Sequence, residues 1–106
     1  MDNFVIIYKI LKVLEAAMDY DEVDINDICA ERFHISENRW QAILKMLVDN
    51  GYIEGIAIRR SADGYISIGV HYPRITLKGL EYLQEDTLMK RAYRLAKGIK
   101  DITPGI

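Results

Sequence analysis

Apolar residues recur at helical spacing from residue 3 to residue 18. They form two neighbouring stripes, Phe4, Ile7, Tyr8, Leu11, Leu14 and Met18 on one side and Ile6, Ile10, Val13 and Ala17 on the other. Lys9, Lys12 and Ala16 form only a narrow polar face, so this first helix needs cover on two sides. We expect it to pack against the two helices that follow it and against a C-terminal helix or a second subunit.

A second helix is predicted after an acidic connection, DYDEV, that resembles a solvated linker. Asp24 is placed to cap this helix, and Asp27 lies in its first turn, where a negative charge is favourable. The inward-facing positions are Ile28, Cys29 and Phe33. His34 and Ile35 then form a tight turn.

A third helix is predicted to begin at about Glu37, because Ser36 is well placed to accept a backbone hydrogen bond as its N-cap. Its buried stripe consists of Trp40, Ile43, Leu44 and Leu47. The opposite side carries Asn38, Gln41, Ala42 and Lys45, with Arg39 beside them. Gly51 is well placed to end the helix in a left-handed conformation.

A β-hairpin is predicted next. Residues 52 to 58 are β-prone, and apolar and small residues alternate from residue 66 to residue 70. The segment between them, RRSADG, contains an Asp-Gly pair, which is a strong turn signal. Pro73 is expected to end strand pairing, because proline lacks the N–H that pairing requires.

The C-terminal region is predicted to be helical from the sequence LKGLEYL, capped by Thr76, to about Lys97, with Gly98 as its stop. Gly79 would let this helix approach its neighbour closely. A narrow apolar seam follows, formed by Leu88, Ala92, Leu95 and Ile99. The seam indicates either packing on the first helix of the same chain or pairing of two subunits.

These elements predict an α+β protein with a winged helix-turn-helix fold: three helices, a β-hairpin wing and a C-terminal helix. The length suits one domain over residues 1 to 98, followed by a short apolar tail over residues 99 to 106. The tail is expected to dock on its own domain or on a partner.

Charge is distributed unevenly along the chain. Residues 1 to 58 carry five Lys and Arg against 11 Asp and Glu, whereas residues 59 to 100 carry nine against four. The pI near 5.6 weakens a nucleic-acid interpretation, and the basic second half keeps it open. The basic residues of the last helix could pair with the acidic connection, within one chain or across a dimer.

The chemistry-bearing residues do not indicate a catalyst. His34 and His71 lack a neighbouring nucleophile or carboxylate at a suggestive spacing, and Cys29 resembles a small core residue. The sequence predicts no metal site, no cofactor and no enzymatic activity. The acidic start and the lack of a long apolar run predict a cytoplasmic protein without a membrane segment.

Four blocks of the chain resemble the YjcQ-like family of small winged-helix proteins from phages and prophages of Gram-positive bacteria. The blocks are FVIIYKILKVLEAAMD, ISENRWQAILKMLVDNGYIEGI, PRITLKGLEYL and GIKDITPGI, in this order. The resemblance implies a winged-helix fold and a phage or prophage origin. It implies no activity and no functional residues.

Two functions are compatible with this pattern. The first is a transcriptional regulator that reads duplex DNA with the helix at 37–50 and a wing near 59–65. Its candidate DNA-binding residues are Ser36, Asn38, Arg39, Gln41, Lys45, Arg59, Arg60 and Arg74. The alternative is a winged-helix adaptor or inhibitor that binds a host or phage protein and no DNA. Either could form a homodimer through its N- and C-terminal helices.

Overall fold

Three α-helices and one β-hairpin form the part of the protein that a computed structural model describes, residues 2–85. The helices are α1 (Asn3–Ala16), α2 (Glu37–Asp49) and α3 (Leu77–Glu85), and the strands are β1 (Ile53–Arg60) and β2 (Ile66–Ile75). The protein is therefore of the α+β class, as predicted. The predicted end of the last helix, the seam from Leu88 to Ile99 and the tail lie outside the described residues.

Helix α1 is buried along most of its two predicted apolar stripes, but Phe4 and Met18, at the ends of one stripe, are exposed. Asp2 caps it through a carboxylate oxygen that accepts a hydrogen bond from the backbone N–H of Phe4 at 2.7 Å. Its buried residues are Ile6, Tyr8, Ile10, Leu11 and Leu14. The helix contacts α2, β2 and α3, and these three elements give the cover that such an apolar helix requires.

The prediction of a second α-helix is wrong. The chain between α1 and α2 contains three 3₁₀ turns instead, at Ala17–Asp19, Ile25–Asp27 and Ala30–Phe33. Asp24 caps the second turn by accepting a hydrogen bond from the backbone N–H of Asn26 at 3.0 Å. Asp and Asn compete for backbone hydrogen bonds in this way and favour short turns over continuous helix. The inward positions are nevertheless apolar, because Ile28 and Phe33 are buried.

The boundaries of α2 follow its sequence signals. His34 adopts a left-handed conformation with φ 55°, and the Ser36 hydroxyl oxygen then accepts a hydrogen bond from the N–H of Arg39 at 3.1 Å. Gly51, with φ 76°, reverses the chain after the helix. The predicted buried stripe is confirmed for Ile43, Leu44 and Leu47, while Trp40 is half-buried.

The hairpin is longer than the sequence predicted. Strands β1 and β2 pair antiparallel from Arg60 and Ile66 beside the turn to Ile53 and Ile75 at the base. Pairing therefore continues past Pro73, which corrects the expectation that this proline ends it. The register shows the reason: His71, Tyr72 and Pro73 together face only Gly55, so the proline lies in a bulge where no ladder hydrogen bond is required.

The base of the hairpin is fastened at Thr76. Its backbone N–H donates to the carbonyl of Tyr52 at 3.1 Å, and its hydroxyl donates to the carbonyl of Gly51 at 2.5 Å. The same hydroxyl oxygen accepts a hydrogen bond from the N–H of Gly79 at 3.1 Å and so caps α3 as predicted. We call this set of hydrogen bonds the Thr76 clasp. Gly79 is buried against Tyr52 and Ile75, which confirms its predicted close approach.

Candidate nucleic-acid interface

Helix α2 is held in a fixed orientation by contacts around its first turn. The Trp40 indole N–H donates to the carbonyl of the buried Ile28 at 2.7 Å, which ties α2 to the preceding 3₁₀ turns. The Arg39 guanidinium Nε donates to the side-chain oxygen of Asn3 at 2.7 Å and ties α2 to the start of α1. Arg39 and Ser36, two of the predicted DNA-binding residues, therefore both take part in intramolecular hydrogen bonds.

The outer face of α2 carries the remaining predicted residues of this helix. Asn38 is exposed and Gln41 is half-buried, and neither side chain makes a hydrogen bond to another described residue. Lys45 lies further along and forms an ion pair with Asp49 at 2.5 Å. The four charged side chains of α2 therefore sum to zero, with Glu37 and Asp49 against Arg39 and Lys45. The outer face of α2 therefore carries amide groups and no net positive charge.

The hairpin turn is internally hydrogen-bonded. The backbone N–H of Ser61 donates to the carbonyl of Tyr65 at 2.8 Å, and the N–H of Gly64 donates to the carbonyl of Ser61 at 3.0 Å. The Ser61 hydroxyl also donates to the Asp63 carboxylate, and this hydrogen bond lowers the pKa of Asp63 below its ordinary value. These contacts fix the end of the hairpin that carries the two neighbouring arginines.

Arg59 and Arg60 are exposed at the end of β1, and neither forms an ion pair within residues 2–85. Successive strand residues point to opposite faces, so the two guanidinium groups leave the hairpin on different sides. Arg60 shares a face with Ile58 and Ile56, whereas Arg59 shares a face with Ala57. The hairpin therefore presents one positive charge on each side.

Arg74 is not close to these arginines. It lies eight residues beyond Ile66 on β2, about 25 Å along an extended strand from the turn. Its guanidinium forms an ion pair with Glu54 at 3.3 Å, directly across the register. The structure thus brings the predicted site residues together in two places, α2 and the turn end of the hairpin, and leaves Arg74 at the base.

Sequence reasoning missed the partners that engage several of these side chains. Arg39 and Asn3 are 36 residues apart, so no local pattern links them. The Glu54–Arg74 pair depends on the strand register, which the bulge shifts. One signal was available, because an isolated glycine in a strand, here Gly55, is typical of a bulge.

The described residues provide little that resembles other kinds of site. No group of three or more His, Cys, Asp or Glu side chains suited to a metal ion occurs within residues 2–85. Cys29 is half-buried, and its thiol donates to the carbonyl of Asn26 at 3.4 Å. In the same range, no helix has the length and apolar character needed to cross a membrane.

Comparison with known proteins identifies a family. No curated protein matches the chain. A family model described as YjcQ protein matches residues 8–102, which is 95 of the 106 residues and includes every element described above except the start of α1. The protein therefore belongs to the YjcQ family.

Proposed function

We propose that this protein is a winged-helix transcriptional regulator that binds duplex DNA, with α2 in the major groove and the hairpin as its wing. The order of elements supports this: 3₁₀ turns, a tight turn at His34, α2, an antiparallel hairpin and α3. In helix-turn-helix proteins the helix after the turn enters the major groove and places its first residues against base edges. The proposal assigns that position to α2.

The observation that carries the proposal is the free pair of amide side chains on α2. Asn38 and Gln41 are one helical turn apart, and no described residue accepts or donates a hydrogen bond to either side chain. Asn and Gln can each form two hydrogen bonds to adenine in the major groove. Helix α2 therefore carries two amide groups that form no hydrogen bond within residues 2–85 and that suit base edges.

Arg59 and Arg60 provide the phosphate contacts in this proposal. Both are exposed and lack ion pairs within residues 2–85. Phosphate contacts hold a protein in register on the duplex but carry no sequence information. The wing would thus provide affinity, while α2 would provide sequence preference. Within the proposal the protein acts in the cytoplasm, serves a phage or prophage and catalyses no reaction.

The test is fluorescence anisotropy with a random-sequence DNA duplex, titrated from low to physiological salt. We expect binding at low salt that weakens steeply as salt is added. The variant Arg59→Ala/Arg60→Ala should bind more weakly at low salt, with a salt slope smaller by about 1–2. The matched control Lys9→Ala/Lys78→Ala also removes two exposed positive charges, on α1 and α3, and should bind like the unmodified protein. Equal losses of DNA affinity in both variants would show that the wing is not part of the interface.

A second measurement addresses sequence preference. A preferred duplex is first selected from a random pool, and binding is then compared with that to a scrambled duplex. Asn38→Ala/Gln41→Ala should lose the preference, at about 1–3 kcal/mol per lost base contact, and keep the non-specific binding. Retained preference in this variant would remove α2 from base recognition.

A second function has its own supporting observation, the net charge of the described residues. Residues 2–85 carry nine Lys and Arg against 14 Asp and Glu, a net charge of −5. Two of the predicted DNA-binding cations, Lys45 and Arg74, are also neutralised by ion pairs. Such a surface suits a winged-helix module that binds a host or phage protein. No DNA binding at low salt would refute the first proposal and favour this one.

A further inference from the structure

A groove lies between the end of α1, the acidic connection that follows it and the bulged part of β2. Its volume is about 910 Å³, within the range of pockets that bind ligands or protein segments. Leu14 and Ile75 form part of its buried apolar base. We call it the acidic groove, because Asp21, Glu22 and Glu54 line it against a single arginine, Arg74, which forms an ion pair with Glu54.

The wall of the acidic groove carries several large apolar side chains that are exposed. Residues 2–85 contain eight large hydrophobic side chains that are exposed, and four of these line this groove. The four are Met18 (62% exposed), Tyr20 (75%), Ile25 (44%) and Tyr72 (68%). Exposed apolar groups that cluster beside polar ones are typical of a surface that binds another protein segment.

The charge beside the groove is also uncompensated. Residues 19 to 27 contain five carboxylates and no Lys or Arg. No ion pair joins any of the five to another residue within 2–85, where the three ion pairs involve Glu15, Asp49 and Glu54. A segment that fits this groove should therefore be basic on one side and apolar on the other.

One segment of this chain has both properties. Residues 90 to 100, KRAYRLAKGIK, contain five Lys and Arg and no Asp or Glu, which mirrors the five carboxylates of residues 19 to 27. Leu88, just before this segment, and Ala92 and Leu95 within it recur at helical spacing. We propose that the acidic groove of each chain binds residues 88–100 of a second copy, so that two copies exchange these segments in a symmetric homodimer.

The direction of α3 favours a second copy over the same chain. Helix α3 begins two residues after Ile75, yet none of its residues lines the groove. The sequence from 86 to 97 has no Gly or Pro, so it predicts that the helix continues without a reversal. The same chain would need a chain reversal to return its basic residues to its own groove, whereas a second copy would not.

The test uses charge reversal in the full chain and measures mass by light scattering over a concentration series. The groove variant is Asp21→Lys/Glu22→Lys, and the tail variant is Lys90→Glu/Arg91→Glu. The unmodified protein should be a dimer that weakens at high salt. In each variant alone, the dissociation constant of the dimer should rise at least about tenfold. Glu31→Lys/Glu81→Lys is the matched control: it changes the charge equally at exposed positions outside the groove and should remain dimeric.

Mixing the two variants distinguishes exchange between copies from docking within one chain. In the mixture, the groove variant's basic groove meets the tail variant's acidic segment, and the two native surfaces meet each other. Exchange therefore predicts that equimolar mixing restores the dimer. A monomeric unmodified protein, a dimer unaffected by either variant, or two weakened variants that fail to combine would each overturn the proposal. Circular dichroism of every variant confirms that loss of the dimer is not loss of the fold.

Discussion

Replacing Gly79 with alanine sets two effects of opposite sign against each other. Alanine favours helix over glycine by about 1 kcal/mol, so helix propensity alone predicts a more stable protein. The position of Gly79 predicts the reverse. A Cβ atom there would lie 2.7 Å from the Ile75 side chain and closer still to the carbonyl oxygen of Tyr52.

The steric effect should be the larger one. The Ile75 side chain can shift slightly, but the Tyr52 carbonyl belongs to the backbone and accepts a hydrogen bond from Thr76. Relief of the overlap therefore requires movement of α3 away from the start of β1. Inserting a carbon into a packed site costs about 1–3 kcal/mol, and an unyielding neighbour places this case near the upper end. After the gain in propensity is subtracted, Gly79→Ala should lower the free energy of unfolding by about 1–2 kcal/mol.

Urea denaturation followed by circular dichroism measures this change, provided that the slope with denaturant stays constant. In thermal unfolding each kcal/mol corresponds to about 4–8 °C for a domain of this size. Glu81→Ala is the control in the same helix, because its side chain is exposed, and it should change stability by less than about 0.5 kcal/mol. An unchanged or increased midpoint for Gly79→Ala would refute the close packing of α3 on β1.

Three further changes test other parts of the structure. Gly55→Ala should destabilise the protein more than Gly64→Ala, although both glycines have positive φ. A Cβ added at Gly55 would lie 2.5 Å from a carbonyl carbon of β2, whereas one added at Gly64 would meet nothing within 4 Å. Equal losses of stability in urea denaturation would argue against the bulge. Trp40→Phe removes an indole hydrogen bond to a buried carbonyl and should cost about 1–3 kcal/mol, so a loss below about 0.5 kcal/mol would contradict that contact. Ser61→Ala should raise the pKa of Asp63 toward its ordinary value in an NMR titration, because the carboxylate loses the hydrogen bond that stabilises its charged form.

Local signals in the sequence predicted both ends of α2 and the start of α3. Ser36 caps α2 and Thr76 caps α3, each through a short hydroxyl side chain. Gly51 adopts the left-handed conformation expected after a helix. These signals work because a cap or a turn depends on a few neighbouring residues. The apolar spacing of α1 and α2 likewise depends only on the helical period.

Of the features that the sequence did not predict, two depend on distant residues and one, the set of 3₁₀ turns, is local. A proline ends most strands. Strand β2 continues beyond Pro73 only because this residue lies in the bulge opposite Gly55. The 3₁₀ turns replaced a predicted helix because polar side chains such as Asp24 compete locally for the backbone. For the candidate site, the sequence identified polar positions on the outer face of α2, but it could not show that Arg74 would pair with Glu54.

The Thr76 clasp fixes the point at which the hairpin joins the helices. The chain enters the hairpin at Tyr52 and leaves it at Thr76, and hydrogen bonds from Thr76 to Gly51 and Tyr52 join these two points directly. The helices therefore meet at a fixed place whatever the length of the strands beyond it. Ile56 and Ile68 also pack against the core, so only the part of the hairpin beyond them can change in length without repacking, and the exposed turn around Ala62 is a natural place to insert a peptide tag or a fluorescent reporter.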